Sequence, residues 1–234
     1  MKLSNIRTYF FGDSIMAQDG KKYEYPAEYN GSELGKICRG YPTLLKECFG
    51  LSEMRNFAIG GQGIKEQKEI ILHQDFAEAD LVIISLGVND FSKGMPIGSI
   101  PTSSDRHHDV TFIGEYCTAM DHIFSSNPIV KVVLMTPLHR DTLHRSGNVI
   151  KSAIDTKING NVLKDYADAI RKIGAFYACP VADMYSNSGL NRFNLPQYTF
   201  EGVHPTNEGY KYIIGELASI IGKIYFPKVI RWRE

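Results

Sequence analysis

No excess of either charge marks this chain. Its 26 basic and 26 acidic residues cancel, so the electrostatic footprint of a nucleic-acid or anionic-lipid binder is missing. The four cysteines, Cys38, Cys48, Cys117 and Cys179, form no Cys-x-x-Cys pair. That leaves metal and redox chemistry without a scaffold and points to small, buried or half-buried thiols. No apolar run approaches the roughly 20 residues that a membrane-spanning helix needs. Met1-Lys2-Leu3-Ser4-Asn5 runs straight into an apolar stretch with no secretory leader, so a cytoplasmic location is expected. No P-loop is present, and Gly61-Gln62-Gly63 has Glu66 where a dinucleotide fingerprint needs its third glycine. Internal repeats, low-complexity tracts and linkers are also missing.

What remains is an ordinary globular composition, 43% apolar and 22% charged over 234 residues, enough for a sizeable core. The pattern predicts strands over 6–11, 53–59, 80–86, 129–135 and 180–184. Helical spacing falls on 41–49, 64–73, 110–125 and 162–173. A last helix opens at Pro205-Thr206, with Thr206 as N-cap, Glu208 in the first turn and an apolar stripe through Ile213, Leu217, Ile220 and Ile221. Residues 18–39, 93–109, 138–148 and 187–200 read as irregular. Strands alternating with helices predict one α/β domain over 1–234, a parallel sheet with helices on both faces. Right-handed crossovers then bring the strand C-termini to one edge, where ligands bind in such sheets.

That edge collects a specific set of residues. Ser14 follows the first strand in Gly12-Asp13-Ser14, and Gly60-Gly61 follow the second. Asn89 follows the third, and His204 precedes the last helix with Glu201 three residues earlier. Acyl transfer needs these parts: a nucleophile, a base, an orienting carboxylate and donors for an oxyanion.

Gly12-Asp13-Ser14, Asn56-Phe57-Ala58-Ile59-Gly60-Gly61, Gly87-Val88-Asn89-Asp90 and Glu201-Gly202-Val203-His204-Pro205 resemble, in order and spacing, the four signature blocks of the SGNH (GDSL) hydrolases. The resemblance spans nearly the whole chain. It implies a flavodoxin-like three-layer α/β/α fold that cleaves esters without a cofactor or a metal. It implies Ser14 as nucleophile and His204 as general base. The oxyanion donors it implies are the backbone N–H groups of Ser14 and Gly61 and the side-chain amide of Asn89. The absence of a Gly-x-Ser-x-Gly elbow around Ser14 separates the chain from the α/β-hydrolase fold.

The departure is Glu201, which stands where the family usually has Asp. Glutamate is one methylene longer. It can accept the imidazole N–H only if the backbone withdraws or the side chain folds. Three readings stay open at this point: Glu201 does the aspartate's work, a backbone carbonyl orients His204 instead, or the site is impaired and the protein is a binder. Asp13, Asp90 and Asp183 read as turn braces. His107, His108, His139 and His144, with Asp105, Asp109 and Asp141 nearby, lack zinc-type spacing and read as solvated loop residues. Tyr23, Tyr25 and Tyr29 read as loop packing near a pocket.

The expected activity is a serine-dependent carboxylic ester hydrolysis through an acyl-enzyme. The polar, aromatic loops favour a short acyl group on a polar or carbohydrate alcohol. The alternatives are a lysophospholipase or thioesterase acting on longer chains, and a carbohydrate-binding pseudoenzyme. No nucleic-acid or membrane partner is expected, and the sequence gives no oligomeric state.

Overall fold

The computed structural model describes residues 3–25, 31–101, 110–145, 148–151 and 155–226. In chain order the elements are β1 (Arg7–Gly12), α1 (Ser14–Ala17), α2 (Tyr41–Phe49), β2 (Glu53–Asn56), α3 (Ile64–Leu72), β3 (Leu81–Ser85), α4 (Val88–Lys93), α5 (Phe112–Ser126) and β4 (Lys131–Met135). The antiparallel pair β5 (Thr142–Arg145) and β6 (Asn148–Lys151) follows, then α6 (Leu163–Phe176), β7 (Val181–Ala182), α7 (Met184–Asn187) and α8 (Leu195–Tyr198). The short antiparallel pair β8 (Thr199–Phe200) and β9 (His204–Pro205) precedes the long α9 (Asn207–Tyr225).

Five strands form one parallel sheet in the order β2-β1-β3-β4-β7. This is the doubly wound order in which the chain reverses direction between β1 and β3, and the crevice above that reversal is where ligands bind. Alternation along the strands divides the core in two. Tyr9, Phe11, Val82, Ile84, Val132 and Leu134 share one cluster with residues of α3, α5 and α6. Phe10, Ile83, Val133 and Met135 share the other with α2 and α9. Strands buried on both faces explain the near-continuous apolar runs. The architecture is therefore the expected α/β/α sandwich.

Three expectations are corrected in detail. The strand expected over 53–59 ends at Asn56, because it lies at the sheet edge with mostly exposed residues. Its continuation still tracks β1, with Phe57 N–H donating to the Phe10 carbonyl (2.8 Å) and Ile59 N–H to that of Gly12 (3.1 Å). The loop expected over 138–148 contains β5, paired with β6. The irregular stretch 187–200 holds the short α8 and β8. Of the cysteines, Cys38 and Cys117 are buried and Cys179 is half-buried, as expected, while Cys48 is exposed. Among the described residues no helix is long and apolar enough to cross a membrane.

The end of the chain positions half of the site. Thr206 caps α9 by accepting from Gly209 N–H (3.1 Å), and its own N–H donates to the Tyr198 carbonyl (2.9 Å). Tyr210, Ile213, Leu217 and Ile221 form the buried stripe. A Cβ at Gly209 would collide with the Tyr198 carbonyl oxygen, a backbone atom that cannot swing aside. Gly209→Ala is therefore expected to lower stability by about 1–3 kcal/mol, as overpacking does. Urea denaturation checks this, and an unchanged midpoint would mean that the close approach is not needed.

Candidate active site

β1 is buried along almost its whole length and stops at Gly12. The Asp13 side chain then accepts from Ile15 N–H (2.9 Å), which caps α1 and turns the chain so that Ser14 is its first residue. Asp13 thus braces the turn, as expected.

The second part arrives from the far end of the sequence. β8 and β9 pair Phe200 with His204, and Glu201, Gly202 and Val203 form the connecting turn. Ser14 Oγ lies 2.8 Å from His204 Nε2. On the other side of the ring, His204 Nδ1 contacts Glu201 Oε1. The open question about glutamate has a geometric answer. The Glu201 carboxylate, and not a backbone carbonyl, faces the imidazole. Its backbone is in the left-handed region, φ +38°, which costs a non-glycine residue about 1–2 kcal/mol. Asp141 N–H ties the next residue down by donating to the Gly202 carbonyl (2.9 Å). The other carboxylate oxygen, Oε2, is buried with no hydrogen-bond partner.

The expected oxyanion donors also converge. α4 begins after Gly87 and carries Asn89 in its first turn. Asn89 Nδ2 donates to the Gln62 carbonyl (2.9 Å), which fixes the amide and leaves its second N–H for a ligand. Gln62 belongs to the turn that contains Gly60 and Gly61. Gly61 sits at φ +77°, where a glycine is needed. A Cβ at Gly60 would stand 3.6 Å from Ser14 Cβ, so this turn lies directly against the serine.

Two residues of the site carry no motif. Gln67 is wholly buried: its Oε1 accepts from Gly12 N–H (3.2 Å), and its Nε2 donates to Gln62 Oε1 (2.7 Å) and the Phe57 carbonyl (3.3 Å). It ties the end of β1 to the glycine turn. The signal was in the sequence, since a glutamine interrupts the apolar stripe Ile64, Gln67, Ile71 of α3. Arg140 lies in the stretch 138–148 expected to be irregular, yet it is 6% exposed and donates to Ser92 Oγ on α4 (2.8 Å). Tyr25, of the expected pocket tyrosines, stacks on Phe200 (4.3 Å between ring centroids) and lies 5.6 Å from the His204 ring. Tyr23 is buried beneath it, its hydroxyl donating to Asn207 Oδ1 (3.2 Å), and Tyr29 is outside the described residues.

Burial dominates the electrostatics. It pushes the Asp13 carboxyl up to about 6, against the Ile15 hydrogen bond and the nearby positive charges of His204 and Arg140. It pushes Asp90 up to about 7, although Asp90 Oδ1 accepts from Ile64 N–H (2.8 Å). Asp90 therefore holds the start of α3 beside the Asn89 turn. Burial pushes the Arg140 guanidinium down to about 10, opposed by the charges of Asp13 and Glu201. Asp183 caps α7 and pairs with Arg171 (2.7 Å), a brace as expected. His139 is not the solvated residue expected: it is half-buried and stacks on Tyr185 (4.0 Å between centroids). His107 and His108, and the side chain of His144, lie outside the described residues. Among the described residues no group of three or more His, Cys, Asp or Glu side chains is placed to hold a metal ion.

Such a sheet, with these four blocks at its C-terminal edge, is the fold of the SGNH hydrolases. The sequence model of the GDSL-like lipase/acylhydrolase family matches residues 10–212, which takes in all four blocks, and the chain belongs to that family of carboxylic ester hydrolases. No curated protein matches the chain. Among solved structures, a protein from Chitinophaga pinensis described as "a possible lipase" superposes with a TM-score of 0.71 at 23% identity, over 93% of this chain and 98% of that one. A protein from Lactobacillus plantarum gives 0.73 at 22% identity, over 96% and 99%. A mutant of Axe2, an acetyl-xylooligosaccharide esterase from Geobacillus Stearmophilus, gives 0.60 at 20% identity, over 95% and 97%. At these identities the likeness to solved structures shows the fold.

Proposed function

We propose that this chain is a serine esterase that removes short acyl groups, acetyl foremost, from a polar or carbohydrate alcohol by way of an acyl-enzyme. The observation that carries this reading is the unbroken line Ser14 Oγ, His204 imidazole, Glu201 carboxylate. His204 Nε2 takes the Ser14 proton as Oγ attacks the ester carbonyl. Glu201 holds the Nδ1–H tautomer and faces the imidazolium that forms. The carbonyl oxygen becomes an oxyanion, and the Ser14 N–H, the Gly61 N–H and the free Asn89 N–H receive it. The alkoxide leaves with the proton from His204. Water then attacks the acyl-Ser14, giving its proton to His204, and Ser14 recovers a proton as the carboxylic acid departs.

The preference for a short acyl group rests on what surrounds the serine. Tyr25, 5.6 Å from the His204 ring, and Gln18, hydrogen-bonded to its hydroxyl, bring polar groups beside the serine–histidine pair, handles suited to an alcohol rich in hydroxyls. The acetyl-xylooligosaccharide esterase among the structural neighbours agrees with that chemistry. The test is a series of p-nitrophenyl esters of increasing acyl length, run beside acetylated xylo-oligosaccharides. The expected order is a fall in kcat/KM beyond the shortest acyl groups, with acetate released from the sugar. A rise in kcat/KM with chain length would replace this reading with the longer-chain lysophospholipase or thioesterase.

A further inference from the structure

Arg140 stands out among the groups that the mechanism above does not use. It is buried, and among the described residues no other arginine or lysine is. It leaves the C-terminal end of β4 and touches or faces three separate segments. Its Nη1 donates to Ser92 Oγ (2.8 Å), and Ser92 Oγ in turn donates to the Val88 carbonyl (2.9 Å), so Arg140 grips the helix that carries Asn89. Its charge faces Asp13, the cap that sets Ser14 in place, and Glu201, the partner of His204. The next residue, Asp141, holds the Glu201–Gly202 turn through its backbone N–H.

We infer that Arg140 is the positioning residue of this site: its guanidinium sets a buried positive charge against the Glu201–His204 pair and ties the oxyanion helix to the same point.

Several charged groups face one another around it. Asp13 is also faced by His204 and by the hydroxyls of Tyr41 and Tyr116, and Asp13 and Asp90 oppose each other. Glu201 is faced by His204 and Tyr25. Three carboxylates thus lie in or beside the site: Lys93 faces Asp90, and Arg140 is the buried cation that faces Asp13 and Glu201. Glu201 Oε2 is buried with no hydrogen bond of its own, and Arg140 is a buried cation facing this carboxylate. Removing that cation makes every proton added to the site easier to add. Hydrolysis needs a neutral imidazole and a charged carboxylate, so both consequences push the acid limb of the rate profile to higher pH.

This inference rests on the esterase reading, and the experiment separates the two. kcat/KM for p-nitrophenyl acetate is measured against pH for the wild type, Arg140→Gln, Arg140→Lys and Ser14→Ala. The acid limb is expected to move up by about one pH unit in Arg140→Gln. A smaller move in the same direction is expected in Arg140→Lys, whose compact ammonium cannot reproduce the planar fork. A residue with a merely structural role would lower kcat and leave the limb where it was. If Arg140→Gln does not fold, Arg140→Met, which also removes the charge, takes its place. In the folded charge-removing variant, an unmoved limb overturns the inference. The wild type and Ser14→Ala judge the esterase reading. Should both be inert, the His204 ring is titrated by NMR in Ser14→Ala with and without Arg140→Gln. A protonation midpoint that rises with the second substitution supports the inference without turnover, and identical midpoints overturn it.

Discussion

Ser14→Ala is expected to lower kcat on p-nitrophenyl acetate by on the order of 10⁴–10⁶-fold while leaving the fold intact. The size of the loss follows from the placement. Among the described residues, Ser14 Oγ is the hydrogen-bond partner of His204 Nε2, 2.8 Å away. What survives is the contribution of the oxyanion donors, which do not depend on the hydroxyl. Stability should hardly change, because Ser14 sits at the start of a short helix whose cap is Asp13. The measurement is a steady-state rate beside a thermal melt of both proteins. If the alanine variant turns over at the wild-type rate, Ser14 is not the nucleophile and the proposed mechanism falls.

The second large effect concerns the residue at which this chain departs from its family. Glu201→Gln is expected to cost about 10⁴-fold in kcat, since an amide cannot hold the required tautomer or face an imidazolium. The informative variant is Glu201→Asp. Aspartate is the usual residue of the family, yet here it should lose about 10²-fold. The turn at φ +38° sets the backbone for the longer side chain, and shortening it withdraws the carboxylate by about one carbon–carbon bond, ~1.5 Å. A misplacement of that order is enough for such a loss. The Asp141–Gly202 hydrogen bond resists the backbone shift that would close the gap. A kinetic comparison of Glu201→Asp with the wild type is the check. Equal rates would mean that the left-handed turn has nothing to do with glutamate's length.

Most of the residues that meet at this sheet edge are legible in the sequence. Gly-Asp-Ser after an apolar run, Asn89 after another, and Glu201-x-x-His204 before a capped helix each mark a strand end or helix start, and the parallel topology does the rest. Local rules describe such places well because the backbone geometry is local. Gln67 and Arg140 were harder for the opposite reason. Each draws its role from partners far along the chain, such as Gly12 for Gln67 and Ser92 for Arg140. An isolated arginine in a polar loop carries no sign that it will be buried. The β5–β6 pair was missed because polar residues interrupt its alternation, although Ser146-Gly147 between two short stretches is a hairpin signal. The backbone twist at Glu201 was foreshadowed only as a condition, that the chain must withdraw to fit the extra methylene.

The pairing of Ser14 with His204 has a consequence for how the protein is made. The two partners are 190 positions apart, and domains begin to form from the N-terminus as the chain is synthesised. On the proposed mechanism the serine is therefore synthesised well before the histidine that would take its proton. A nascent chain that ends before His204 carries the serine, the glycine turn and Asn89 but has nothing to take the proton. On that mechanism, ester cleavage waits for the segment that carries His204 to dock.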